Sequence, residues 1–262
     1  MKKETISFIM PVHNQQDLIV PIARSIISNM SENVKEIIII FDGCTDDSEN
    51  NFNSIIDEFP FPPIILHVPN IFEVRATNLG FKIQTCNYSI FGQDDMVMVE
   101  KEFDKRLIKP FKIIPELLCV SSRDAVDVIP DPNDINMLSF VNVAGKDVNT
   151  PRNIFAIRDA INRGHMCFDN SKAEALNYMD EIFVPQNLDD VDIGMRGYRD
   201  YGWLVGAYAC EHISEPHWGT SRKNMTSYMI FEASNRKNHK IVRERYADYF
   251  LKEKHSKDII ME

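Results

Sequence analysis

The sequence predicts an α/β fold: a mostly parallel central sheet flanked by helices, a less regular second half, and helices at the C-terminus. Three observations carry this reading. Short β-rich apolar runs alternate with longer amphipathic segments through the first half; chemically capable residues cluster just after those runs; and the segment from about Lys223 onward is charged and helical in composition.

Taken in order, Ile6 to Met10 is a strand-length apolar run leading through Pro11-Val12-His13-Asn14 into a helical pattern from about Gln15 to Met30. Glu36 to Phe41 forms the next run, followed by Asp42-Gly43-Cys44-Thr45 and a second helical segment. Ile64 to Val68 predicts a strand, Glu73 to Cys86 a helix and Tyr88 to Gly92 a further strand. Ligands of such sheets bind beyond the carboxyl ends of the strands. Functional residues are therefore expected at Pro11 to Asn14, at Asp42 and at Gln93-Asp94-Asp95.

The second half is harder to parse. Asp127 to Asn153 is polar, contains Pro and Asn and shows no clear period, which predicts a loop over the site or part of an acceptor pocket. Asp189 to Tyr201 predicts a helix with acids in its first turn and with Val191, Met195 and Tyr198 on one buried face. The C-terminal stretch carries Arg236, Lys237, Lys240, Arg243 and Arg245. Two readings fit it: a solvated helix packed through Ile241, Tyr246, Tyr249 and Phe250, or a basic face for peripheral contact with an anionic membrane. No repeat or linker demands a domain boundary.

Composition narrows the function. At 262 residues and 44% hydrophobic content the chain can bury a full core. The balance of 29 Lys and Arg against 39 Asp and Glu gives a net charge of -10, which opposes a phosphate backbone and excludes nucleic acid as an expected partner. The start, Met1-Lys2-Lys3-Glu4, is followed only by a strand-length apolar run, so neither a signal peptide nor an anchor is expected. Five widely spaced cysteines with no C-x-x-C pair predict reduced thiols in a cytoplasmic protein.

Three constellations carry chemistry. Gln93-Asp94-Asp95 offers adjacent carboxylates, hard oxygen donors suited to Mn2+ or Mg2+; on a strand end the two point oppositely, so one of them is expected to hold the metal, and Asp95 is taken for that role with Asp94 reaching the ribose or a metal-bound water. Asp189-Asp190-Val191-Asp192 sits in a helix's first turn, where acids are favoured by capping and dipole but can also serve as a base. His217-Trp218-Gly219-Thr220-Ser221 offers an imidazole for a metal and an indole for a sugar face, and Arg222 and Lys223 could neutralise a diphosphate or form a solvated basic turn.

Several segments, in order over roughly residues 5 to 222, resemble glycosyltransferase family 2, whose members share the GT-A fold. Ser7 to Asn14 is similar to the family's strand followed by P-x-[YHF]-N, and Ile37 to Asp46 to its apolar strand followed by D-G-S-T-D. Asn70 with Ala76-Thr77-Asn78-Leu79-Gly80 resembles N-x-G…A-R-N-x-G, and Phe91 to Asp95 occupies the place of D-x-D. Tyr178 to Glu181, Asp189 to Asp192, Arg196, Gly202-Trp203 and His217 to Ser221 match later segments. Gln93, Phe41 and Thr77 replace two acids and an arginine of the pattern, with Arg75 a substitute for the last.

The resemblance implies an inverting, metal-assisted glycosyltransferase moving a sugar from a UDP-, GDP- or dTDP-linked donor to a hydroxyl of a carbohydrate or glycoconjugate acceptor. It implies Asp190, with Asp189 second, as the base; Pro11, Val12, His13, Asn14, Asp42, Arg75, Asn78 and Asp94 at the nucleotide; Asp95 and His217 at the metal. Arg163, Gly164, His165 and Trp218 are expected at the acceptor and sugar. Residues 1–222 would form the GT-A domain, about 1–98 for the nucleotide and 99–222 for the acceptor, with 223–262 a helical extension. A nucleotidyltransferase of the same fold is disfavoured because residues 9–20 hold no glycine for a phosphate loop, and Gln93 and Phe41 keep a non-catalytic nucleotide or sugar binder as the other alternative.

Overall fold

The computed structural model describes residues 4–219 and 225–261. The first half runs β1 (Ile6–Val12), α1 (Ile19–Asn29), β2 (Val34–Asp42), α2 (Ser48–Asn53), β3 (Ile64–Val68), α3 (Glu73–Ile83), β4 (Tyr88–Phe91) and β5 (Val97–Met98). It continues with α4 (Phe103–Ile108), β6 (Leu117–Ser121), β7 (Asp124–Pro130), β8 (Leu138–Gly145), β9 (Ile154–Arg158), β10 (Ala160–Ile161) and β11 (Met166–Asp169). The last third comprises α5 (Asn170–Ala175), α6 (Asp189–Tyr201), β12 (Leu204–Ala207), β13 (His212–Ile213), α7 (Met225–Arg245) and β14 (Lys257–Ile260).

Nine strands form one sheet in the order β14-β9-β12-β6-β11-β4-β1-β2-β3. β3, β2, β1 and β4 are mutually parallel; β11 runs antiparallel between β4 and β6; β12 is parallel to β6, and β9 is antiparallel to both β12 and β14. Only β11 and β9 therefore oppose the common direction. The period-2 alternation of the first strands explains the layering. Phe8, Met10, Ile37 and Ile39 pack with Ile22 and Ile26 of α1, whereas Ile9, Ile38 and Ile40 pack with Val74 and Phe81 of α3. Each strand is covered on both faces, so it reads as a continuous apolar run.

Two sequence expectations change. The stretch from Asp127 to Asn153 is not a loop: β7 and β8 form an antiparallel hairpin that, with β10, makes a separate three-stranded sheet. Its polar residues hid the pattern because they wire the strands together. Asp127 Oδ1 accepts from the Asp159 N–H at 3.3 Å, and Asp159 Oδ2 accepts from the Val128 N–H at 2.9 Å. The C-terminal segment, in turn, is not wholly helical, since β14 pairs with β9 and extends the main sheet.

α7 packs against the fold along one face, through Ser234, Asn238, His239 and Val242. Val242, Tyr246 and Tyr249 share an apolar cluster with Val191 and Met195 of α6, and Ile241, Phe250 and Tyr198 pack at its edge. Three of its cations turn inward: Lys237 donates to the carbonyls of Ile182 and Val184, Arg243 to that of Met137, and Arg245 to Asp180 and Asp192. A basic face offered to a membrane is correspondingly reduced. Among the described residues no helix is long and apolar enough to cross a membrane. All five cysteines are free thiols.

Candidate active site

A cavity of about 710 Å³ opens beyond the carboxyl ends of β1, β2 and β4, a size suited to a small organic ligand. Pro11, Val12 and His13 line it where β1 ends. The His13 N–H donates to Asp94 Oδ2 at 3.0 Å, and its ring Nδ1–H donates to the Asp42 carbonyl at 2.5 Å. Asn14, whose φ is 53°, accepts from the Thr45 N–H at 2.8 Å and so ties the β1 exit to the β2 exit rather than lining the cavity.

Asp42 ends β2 and faces the cavity. Its Oδ1 accepts from the Ile71 N–H at 2.7 Å, and burial pushes the carboxyl above its ordinary range. Gly43 has φ +61°, and a Cβ there would lie 2.6 Å from the Asn70 nitrogen. Only glycine lets the loop after β2 lie against the loop after β3, from which Asn70 and Phe72 also reach the cavity.

The acid pair lies at the exit of β4. Burial, and then the neighbouring Asp95, push the Asp94 carboxyl up to about 7, against donation from the His13 N–H. Gln15 Nε2 lies 3.4 Å from Asp94 Oδ1 and donates to the Trp218 carbonyl at 3.1 Å, which draws the residue 216–219 turn toward the acid pair. Gln93 donates to Glu73 Oε1 at 3.2 Å.

Across the cavity, α6 starts after Leu188, whose φ is 66°. Asp189 is fully buried and pairs with Arg163, while Asp190 is the member of the pair that lines the cavity. Burial, and then Asp189, push the Asp190 carboxyl up to about 7, opposed by Arg163 and by the Val191 N–H at 2.9 Å. The third acid, Asp192, is structural: Arg196, Arg245 and the Tyr246 hydroxyl all bond it beneath the helix. The loop entering α6 is held by Asn238 of α7, whose Nδ2 donates to the carbonyls of Phe183, Gln186 and Asn187 at 3.2, 2.9 and 2.7 Å.

The remaining expected residues divide. Arg75 lies at the surface, paired with Glu181 at 3.1 Å, and buried Asn78 uses both ends of its amide on the Met179 backbone; neither lines the cavity. Both were expected at the nucleotide, and helix geometry turns them toward the α3 flank instead. Gly164 and His165 stand behind the wall. A Cβ at Gly164 would lie 2.7 Å from the Arg123 Cβ. His165, between the rings of Phe8 and Phe103, accepts from the Gln93 N–H at 3.4 Å and is kept neutral by burial, its pKa depressed to about 3.

His217 is exposed and Trp218 partly buried, in a turn between the cavity-lining Pro216 and Gly219. The histidine in the cavity wall is His212, pushed down to about 4 by burial and Lys146. Among the described residues no group of three or more His, Cys, Asp or Glu is placed to hold a metal. Thr220, Ser221, Arg222 and Lys223 lie outside the described residues.

The sequence reading missed Glu73, Arg123 and Lys146, all in the cavity wall. Glu73 opens α3 and Lys146 follows β8. An acid in a helix's first turn looks the same whether it caps or faces a site, and the hairpin that carries Lys146 had no visible period.

A seven-strand parallel majority, a cavity at its carboxyl edge and acids meeting from β4 and α6 define the GT-A class of glycosyltransferases. The chain belongs to glycosyl transferase family 2, whose family model matches residues 7–173. No curated protein matches the sequence.

Solved structures share the fold. GalNAc-T7 with UDP, GalNAc and Mn2+ aligns with a TM-score of 0.72 at 13% identity, over 94% of this chain and 50% of that one. The chain thus spans half the length of that relative. The mannosyltransferase PcManGT from Pyrobaculum calidifontis, in complex with GDP-Man and Mn2+, aligns with a TM-score of 0.60 at 12% identity, over 94% of this chain and 66% of that one. Glucosyl-3-phosphoglycerate synthase from Mycobacterium tuberculosis, with Mn2+, UDP and phosphoglyceric acid, gives 0.59 at 13%, over 92% and 78%.

Proposed function

We propose that this glycosyltransferase moves a sugar from a nucleotide diphosphate donor to an acceptor hydroxyl with inversion, using Asp190 as the base. The observation that carries the reading is the placement of Asp94 and Asp95, from β4, and Asp190, from α6, on the walls of one cavity. Relatives of the same fold crystallised with UDP or GDP-Man support a donor of this class.

The donor set suits a divalent cation. Asp94 and Asp95 supply hard oxygens, and the upward push on Asp94 reflects two carboxylates crowded together where water is scarce, a strain that a cation relieves. Asp95, with Asp94, would hold it, and the donor's phosphate oxygens would complete the shell, as hard cations in nucleotide enzymes commonly arrange. When bound, such an ion offsets the charge that develops on the leaving diphosphate.

The chain's own residues do the rest. Pro11, Val12 and Asp42 border the cavity at the exits of β1 and β2, and Asp42 would serve there as the acceptor for a nucleobase imino N–H. Asp190 takes the proton from the acceptor hydroxyl as the oxygen attacks the anomeric carbon on the face opposite the leaving group. A carboxyl pushed up to about 7 is a stronger base than an ordinary aspartate and remains substantially ionised at neutral pH.

The test is a panel of nucleotide sugars with Mn2+, following release of nucleoside diphosphate. Release that stops with EDTA and in Asp95→Ala supports the reading. Donor binding without turnover for every donor and acceptor tried would overturn it in favour of a binding protein.

A further inference from the structure

Arg163 stands between two carboxylates brought from opposite halves of the chain. Its guanidinium pairs with Glu73, the first residue of α3, and with Asp189, the first residue of α6. Side-chain exposure is 18% for Arg163, 28% for Glu73 and nil for Asp189, so little water screens the cluster. Arg163 is itself delivered by the short turn between β10 and β11, over Gly164, where no larger residue fits beside Arg123. The guanidinium therefore has both ends engaged and cannot swing toward a substrate without leaving the buried Asp189 and the half-buried Glu73 unpaired.

Asp190 is the next residue along α6 and shares the cavity wall with Arg163. Besides Arg163, the groups that act on it are Asp189 from its own helix, Glu73 from α3 and the Val191 N–H. The buried Cys119 thiol of β6 also lies in its field, but burial pushes that thiol well up and keeps it uncharged. One cation thus sits among three acids, and the acids alone would drive each other toward the protonated form.

We propose that Arg163 is a positioning residue: clamped between Glu73 and Asp189, it supplies the positive field that keeps the neighbouring Asp190 carboxylate charged and able to accept a proton. The inference rests on the reading of Asp190 as the base. It deepens that reading by making the base dependent on a residue from the nucleotide half, Glu73, and one from the β10–β11 turn.

The consequence has a sign at each position. Removing the cation raises the pH at which Asp190 loses its proton, by about one to three pH units for the loss of one close opposite charge. Removing Glu73's charge eliminates a like charge and leaves the guanidinium to Asp189 and Asp190, so the midpoint falls. A residue that only braced the fold would produce neither pattern.

The experiment is carbon-13 NMR of protein labelled at the aspartate side-chain carboxyl, metal-free, with the Asp190 signal identified by its absence in Asp190→Asn. In Arg163→Met the Asp190 midpoint is expected to rise by at least about one pH unit, in Arg163→Lys to stay within about half a pH unit of the native value, and in Glu73→Gln to fall. An unmoved midpoint in folded Arg163→Met overturns the proposal. Should that variant not fold, an unmoved or rising midpoint in Glu73→Gln overturns it instead. The readout needs no turnover, so a chain that titrates as described yet transfers no sugar would sink the proposed function and with it the role of Asp190 as base, and would leave only the charge coupling of Arg163 to Asp190.

Discussion

The main-chain N–H of His13 donates to Oδ2 of Asp94 at 3.0 Å, joining the exit of β1 to the acid pair at the exit of β4. The two strands are parallel neighbours, so their ends lie side by side, and a single hydrogen bond fixes one oxygen of Asp94. Asp94 and Asp95 both line the cavity that Asp190 closes from the other side.

Asp190→Asn removes the proton acceptor but keeps size and polarity. Transfer should fall by about 10²- to 10⁴-fold in kcat, the usual worth of general base catalysis, with donor affinity unchanged. Steady-state kinetics with calorimetric donor titration checks both halves. Full transfer activity in this variant would show that the base lies elsewhere.

Asp94 and Asp190 should each subtract from the stability of the metal-free protein as pH rises from about 4 to about 7, against His165 and His212, which are held neutral by burial and add to it as pH rises toward 6.5. Asp94 and Asp190 are pushed up to about 7 in the folded chain, above an unfolded value of about 3.9. Between those limits the two carboxyls bind more protons in the native state than in the unfolded one, so raising the pH penalises folding through them. Each tenfold difference in proton affinity between the two states is worth about 1.4 kcal/mol. Asp190→Asn should therefore gain stability relative to the parent as pH rises through that window. Urea denaturation across that pH range, comparing the two proteins, is the check; equal slopes would contradict the burial argument.

Gly43→Ala should destabilise by roughly 1–3 kcal/mol, because alanine is disfavoured at a positive φ and its methyl would press on Asn70. The displaced loop carries Asp42, so nucleotide affinity should fall as well. Thermal melts and nucleoside diphosphate titration read the two effects separately.

Arg75→Ala should leave both stability and donor affinity nearly untouched, within about 0.5 kcal/mol, as expected for an exposed ion pair. Asn78→Ala should cost about 1–3 kcal/mol of stability through the stranded Met179 backbone, with donor affinity again unchanged in the folded fraction. A large loss of donor affinity in either would return that residue to the nucleotide site.

The first half of the fold was legible because its central strands β1, β2 and β4 are buried on both faces and its helices on one, which writes burial directly into the order of apolar residues. Strand β3 runs from Ile64 to Val68 and helix α6 from Asp189 to Tyr201, the spans their patterns predict. The β7–β8 hairpin was not legible. Its buried Asp127 is polar for the sake of a neighbouring strand, and no local pattern separates that from a loop. The same limit hid β14, a four-residue edge strand that is a strand only because β9 is beside it.

The site divides the same way. That acids at Asp94, Asp95 and Asp190 carry chemistry followed from their place in an ordered set of segments, since each segment is local and strand ends converge by topology. Asp94 and Asp95 both face the cavity, whereas which member of the α6 run does so depended on partners far away in the chain. Arg163 holds Asp189 beneath α6, Arg196, Arg245 and Tyr246 hold Asp192, and only Asp190 is left toward the cavity. The sequence alone determined the class of fold and the acids available to it. Tertiary structure decided which of them are compensated and which are poised to react, because desolvation and opposing charge arise only once distant segments pack together.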